Sequence, residues 1–244
     1  MLHKTNGIVL RPVKYGETSL VVTLFTELYG VQTYMVQGVR SAKSRQNRAA
    51  FFQPGTLLEL VVYHQPQKTM QRIREFQAAH IYNGLKEDVV KNSIVLFSVE
   101  LLLRLLPELG PLPALFTIAY EYFIALDKMP LHDVANFPLF FIMECSRELG
   151  YPLKGSYSAS APYLNMHEGG FTDHAPGEMS GINDEDARAL SALLQASSTD
   201  ALKQVEMNAG QRLRLIDWYV AYLQQHTQHM GNIRSLSVLR AILH

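Results

Sequence analysis

The first 80 residues alternate apolar and polar positions in short runs broken by glycine, proline and turn residues, whereas the rest of the chain repeats its apolar positions at helical spacing. Gly7-Ile8-Val9-Leu10 opens a strand that runs toward Tyr15, and Gly16-Glu17-Thr18 forms a turn. A β-branched and aromatic run from Ser19 to Phe25 predicts a second strand. Tyr29-Gly30 turns the chain into a third, Val31 to Val39. Gln53-Pro54-Gly55 introduces a fourth, Thr56 to Tyr63, in which Leu58, Leu60 and Val62 share one face and Glu59 takes the other. Pro66-Gln67 turns into a fifth, Thr69 to Gln77. Five short strands with no long helix between them predict a small closed barrel, of which the five-stranded OB-fold is the best-known example.

Beyond Ile81 the period changes. Val90, Ile94, Phe97, Leu101 and Leu105 recur on one helical face until Pro107 stops the run. Further helices are predicted over Ala114 to Leu126 and Val134 to Leu149, and all three are apolar enough to pack as one core. Tyr157 to Gly181 reads as loop. Asp184 caps a helix from Glu185 to Ala196, and others follow over Gln211 to Gln225 and Leu236 to Leu243. The fold class is therefore α+β: a barrel domain over 1–80, then an all-α domain over 81–244 with an irregular, cysteine-free insert near 152–182.

Charge sharpens this division. The chain is neutral overall, yet residues 1–80 hold ten Lys and Arg against four acids, and the remainder is acidic by the same margin. Such asymmetry points to a polyanion-binding module joined to something else. The surplus concentrates between the third and fourth strands, where Val36 to Arg48 carries Arg40, Lys43, Arg45 and Arg48 with no acid among them. Small and polar residues space these cations, so the segment is a basic loop suited to a nucleic-acid backbone. In the fifth strand Met70, Arg72, Arg74 and Phe76 fall on one face by strict alternation, the two arginines roughly 6.6 Å apart. That face suits a phosphate track with a stacked base. Alternatively, Met70 and Phe76 turn to the core while the arginines reach water.

Little else suggests chemistry. No phosphate-binding glycine loop, dinucleotide fingerprint or nucleophile elbow is present. The single cysteine, Cys145, excludes an intrachain disulfide and a cysteine-rich metal site, and sits in an apolar helix as a small core residue. His167, Glu168, Asp173 and His174 form one cluster and His226 with His229 another; a flexible loop and a helix terminus explain them without a metal. The expectation is a binding protein without catalytic residues, cofactor or metal. The N-terminus has no signal-peptide pattern, and the longest apolar region, Val89 to Leu106, is too polar for a membrane span, so no membrane association is expected.

The assembled residues resemble the bacterial recombination mediator RecO family. The match runs through Thr5-x-Gly7-Ile8-Val9-Leu10, Tyr15-Gly16-Glu17-x-Ser19, Leu24-Phe25-Thr26 and Gly30, then Gly38-Val39-Arg40-Ser41 with Lys43-Ser44-Arg45, and Gln53-Pro54. His229-x-Gly231 and Ser235-Leu236 resemble the closing helices. The resemblance implies an OB-fold followed by a helical domain, and binding of single- and double-stranded DNA. It also implies strand annealing, and help in loading RecA onto DNA coated by single-strand-binding protein. RecR and the acidic C-terminal tail of single-strand-binding protein are the implied direct partners and RecA an indirect one, in a cytoplasmic, nucleoid-associated setting.

Many family members carry a four-cysteine zinc module after the third helix. Here Gly155 to Gly181 contains no cysteine, so that role is left open. Within this frame Arg40, Lys43, Arg45 and Arg48 are the candidate phosphate contacts, extended by Lys14, Arg72 and Arg74. Arg104, Lys128 and Arg147 are candidates for the acidic tail. Two rivals stand beside it: an adaptor whose basic loop is incidental, and an OB-containing enzyme acting on nucleic acid.

Overall fold

A computed structural model describes residues 1–40, 48–85, 87–106, 110–175, 182, 184–196, 199–228 and 230–243. Five strands, β1 (Leu2–Tyr15), β2 (Ser19–Thr26), β3 (Gly30–Val36), β4 (Leu57–Tyr63) and β5 (Met70–Ala78), close a barrel in the order β1-β2-β3-β5-β4. Strand β1 serves two neighbours, pairing with β4 through its first half and with β2 through its second. An irregularity between Val9 and Arg11 bends it, and there both Val9 and Leu10 are buried. Parallel pairing of β3 with β5 over Thr33 to Met35 closes the sheet. The interior collects Val9, Val22, Leu24, Tyr34, Leu58 and Val62, the alternate positions that the pattern predicts.

One face assignment is corrected. The β4–β5 ladder slips between Val61 and Val62, so Val61 opposes Glu75 while Val62 opposes Ile73, and Arg74 is the extra residue. Such a bulge inverts the alternation beyond it. Arg72 is exposed, but Phe76 packs with Ile73 against the core. Strict alternation had put Phe76 on the face of Arg72.

The chain divides into two compact units, residues 1–88 with 106–128, and 89–105 with 129–244. Helix α1 (Val89–Leu105) lies in the second unit and helix α2 (Pro113–Lys128) in the first, so the three apolar helices do not share one core. Within the first unit Phe116 of α2 meets Phe25 of β2 edge to face at 5.3 Å. At the other end of α2, the Asp127 carboxylate accepts the backbone N–H groups of Asn83, Gly84 and Leu85.

The second unit also contains α3 (Phe137–Glu148), β6 (Tyr163–Asn165), β7 (Gly170–Thr172), α4 (Asp184–Gln195), α5 (Thr199–Lys203), α6 (Ala209–His226) and α7 (Ser235–Ile242). Helix α3 starts later than expected. Leu131–Asn136 is a 3-10 turn, and Pro138, which lacks an N–H, occupies the first turn of the helix, where none is needed. Arg214 of α6 forks onto the buried Asp186 of α4 at 2.7 and 2.8 Å. Cys145 is fully buried, and burial pushes its thiol up, as for a core residue. No helix among the described residues is long and apolar enough to cross a membrane.

Candidate nucleic-acid interface

Both roots of the basic β3–β4 connection are fastened to the barrel. At the first, Val39 is buried, the Arg40 N–H donates to the Thr18 carbonyl at 3.0 Å, and its guanidinium donates to the Gly16 carbonyl at 3.3 Å. Arg40 is thereby set beside the β1–β2 turn. At the second, Arg48 opens a 3-10 turn, Arg48–Phe52, whose Phe52 fills the barrel end. The rings of Phe51 and Phe52 meet Phe76 at 5.7 and 4.7 Å, and the Arg48 guanidinium lies over Phe76 at 4.7 Å. Phe76, turned inward by the bulge, thus supports the loop root.

Neither root cation is neutralised by an acid: among the described residues no carboxylate lies within ion-pair distance of Arg40 or Arg48. Both keep guanidinium N–H groups for an outside anion, since Arg40 spends one on a carbonyl and Arg48 rests on a ring. Lys43 and Arg45 lie outside the described residues.

The remaining candidates spread over the barrel. Lys14 stands opposite Leu20 near the β1–β2 turn, at the same barrel end as Arg40, and is exposed. Arg72 is exposed on β5, opposite Tyr63. Arg74 sits at the bulge, 3.2 Å from Glu75, with both side chains more than half exposed, so that pair contributes little. Sequence reasoning missed Arg11, an exposed cation opposite Thr23; the bulge beside it hides its outward direction from simple alternation.

The candidates for an acidic partner are not gathered in one unit. Lys128 ends α2 in the first unit; Arg104 and Arg147 lie in the second. Arg104 is 3.8 Å from Glu100, whose carboxylate also accepts the N–H groups of Arg234 and Ser235 and the Ser235 hydroxyl, capping α7. Desolvation pushes Glu100 up, but the Ser235 hydroxyl, these N–H groups and Arg104 outweigh it and hold the carboxyl below its ordinary value. Arg147 pairs with Glu144 and lies 3.4 Å from Glu148, so its charge is largely spent within α3.

Among the described residues the cysteine-free insert is not all loop but contains a short hairpin. Strands β6 and β7 pair antiparallel, Leu164 of β6 is buried, and Lys154 bridges to Gly170. His167 accepts from the Gln225 amide through Nδ1, and His226 donates through Nε2 to the Met166 carbonyl at 2.9 Å. Gly169 lies against Tyr222 with φ +66°, where an added Cβ would stand 2.8 Å from the phenol oxygen. Packing on α6 therefore holds the hairpin. Among the described residues no group of three or more His, Cys, Asp or Glu could hold a metal ion, and His229 lies outside them.

Comparison with known proteins agrees with this architecture. The family described as "Recombination protein O N terminal" matches residues 1–82, and that described as "Recombination protein O C terminal" matches residues 86–236. A protein of Bacteroides fragilis named "DNA repair protein RecO" is 31% identical, over 99% of each chain. One of Flavobacterium psychrophilum with the same name is 30% identical, over 98% of each. One of Salinibacter ruber is 36% identical over 60% of this chain and 55% of its own. With both family descriptions matched in order along a barrel and a helical unit, the chain belongs to the recombination protein O family.

Proposed function

We propose that the chain is a DNA-binding recombination mediator in DNA repair that acts by charge and position, without catalysis. Membership of a family of DNA repair proteins supports the repair role. The observation that carries the DNA-binding reading is the β3–β4 connection, with Arg40 and Arg48 fixed at its roots and no carboxylate set against either among the described residues. Lys43 and Arg45 lie between them in sequence, and Lys14, Arg72 and Arg74 extend the cationic surface.

Cations held this way neutralise phosphates and displace counterions, a sequence-independent attraction to single- and double-stranded DNA. Neutralising phosphates on two strands at once lowers their mutual repulsion, so complementary strands can anneal without nucleotide hydrolysis. The same contacts serve a mediator that admits RecA to strands coated by single-strand-binding protein, with RecR as the co-acting partner. The acidic tail of single-strand-binding protein needs a cation on a helical surface. Arg104 and Lys128 are the candidates with charge to offer, Arg147 less so because Glu144 and Glu148 offset it.

The test replaces Arg40, Lys43, Arg45 and Arg48 together by alanine. Affinity for single-stranded and duplex oligonucleotides is measured against salt, beside an annealing assay with complementary strands. The variant should lose affinity, salt dependence and annealing together. Binding like that of wild type, with the same salt slope, overturns the reading.

A further inference from the structure

Large exposed side chains of the barrel concentrate on one face. Through the strand register, Leu2 stands opposite Tyr63, Tyr63 opposite Arg72, Arg72 opposite Met35, Met35 opposite Val21, and Val21 opposite Val13. These pairs form an unbroken belt from one end of β1 around the barrel to the other. None of the six is buried, although the rows on either side hold Val22, Tyr34, Val62 and Gln71 in the interior. Directly opposed residues share a sheet face, so the belt points outward. Tyr15 continues the same face two residues beyond Val13, and Met70 two residues before Arg72.

Single exposed apolar residues are ordinary, but a contiguous patch marks an interaction surface. Tyr15 is 55% exposed, Val13 48% and Tyr63 43%. Charge selects the occupant. Arg11 and Arg72 stand on this face and Arg40 and Lys14 at its end, and the belt itself contains no acid; Glu17 lies in the β1–β2 turn. The barrel's other strand acids, Glu59 and Glu75, line a different groove together with Glu27 and Lys4. An apolar protein partner would leave these cations unanswered. A single strand of nucleic acid answers both features, with phosphates on the cations and unstacked bases on the rings.

We propose that the outward face formed along this belt by β1, β2, β3, β5 and the end of β4 is a base-stacking platform for single-stranded DNA, with Tyr15 and Tyr63 as its stacking rings. The proposal rests on the DNA-binding reading above and adds to it the part that separates single strands from duplex. Phosphate contacts treat both alike, whereas ring stacking needs bases that are not already paired.

The experiment uses the full chain with three probes: an oligothymidine, an abasic oligonucleotide of the same length, and a duplex. The variants are Y15A, Y63A, the pair together, and Y15F/Y63F. Each ring removed should weaken oligothymidine binding by about five-fold to a hundred-fold. The slope against salt and the duplex affinity should not change, and the phenylalanine pair should bind like wild type. The abasic strand should bind wild type as weakly as oligothymidine binds Y15A/Y63A, and the double variant should no longer distinguish the two strands. Equal losses on single strand and duplex, or wild-type binding of oligothymidine by Y15A/Y63A, overturn the platform while leaving the cationic loop standing. A wild-type chain that binds none of the probes overturns both.

Discussion

Replacing Asp127 tests how the chain leaving the barrel is fastened to α2. Oδ1 accepts N–H groups from Asn83, Gly84 and Leu85 at 3.0, 2.8 and 3.0 Å, and Oδ2 accepts from His80 Nε2 at 3.0 Å. The carboxylate is almost fully shielded from water. D127A removes the acceptor that these donors share. Leu85 is buried, so water does not replace the lost bond there; Asn83 and Gly84 reach solvent and lose less. With a shielded donor worth about 1–3 kcal/mol and the other three roughly 0.5–1 each, the cost is about 2.5–6 kcal/mol. D127N keeps an acceptor oxygen but gives up the charge, and should cost about half as much.

The pH dependence has a definite sign. Desolvation pushes Asp127 up, but His80 and the three N–H groups outweigh it and hold the folded carboxyl below its ordinary value. Stability from a depressed carboxyl is fully present above the unfolded value and is lost as pH falls through the folded one. The gap between wild type and D127N should therefore be constant near neutrality and shrink below about pH 4. Urea unfolding by circular dichroism, with hydrogen exchange at the Gly84 and Leu85 amides, measures both effects. A D127A cost under about 1 kcal/mol, or a D127N gap that persists unchanged into acid, would refute the reasoning.

Other outcomes follow from the same geometry. Removing Arg40 and Arg48 should take away two of about four phosphate contacts, changing the slope of log affinity against log salt on single strands from about −2.8 to about −1.4. Between about 50 and 200 mM salt, wild type should then weaken roughly fifty-fold and the variant roughly seven-fold. Gly30 has φ +63° and an added Cβ would stand 2.1 Å from the Gly110 carbonyl oxygen, so G30A should cost at least about 3 kcal/mol in thermal unfolding. N208A removes the side-chain oxygen that accepts the Gln211 N–H and caps α6, leaving only the reciprocal bond from the backbone N–H of residue 208 to the Gln211 side chain, which should cost about 1 kcal/mol by the same measurement. A chelator should leave the thermal midpoint unchanged, because packing against Tyr222, Gln225 and His226 holds the β6–β7 hairpin; a drop would reveal a metal site.

Much of the barrel was legible from local pattern. Alternation placed Leu58, Leu60 and Val62 inside, and Gly16 and Gly30 turned the chain where positive φ was needed, because strand period and turn chemistry are properties of neighbouring residues. The cationic β3–β4 connection was equally visible, since charge is written in the composition of one segment.

What required tertiary structure was everything set by a partner distant in sequence. The bulge at Arg74 arises where β5 meets β4, and it alone decides that Phe76 faces the core beneath Arg48. The belt from Leu2 to Val13 exists only because five strands close in one register, so no single strand reveals it. The grouping of α2 with the barrel came from Phe116 meeting Phe25 and Asp127 gathering the N–H groups of residues 83–85. Helical periodicity shows that a face is apolar; it carries no information about which surface that face will cover.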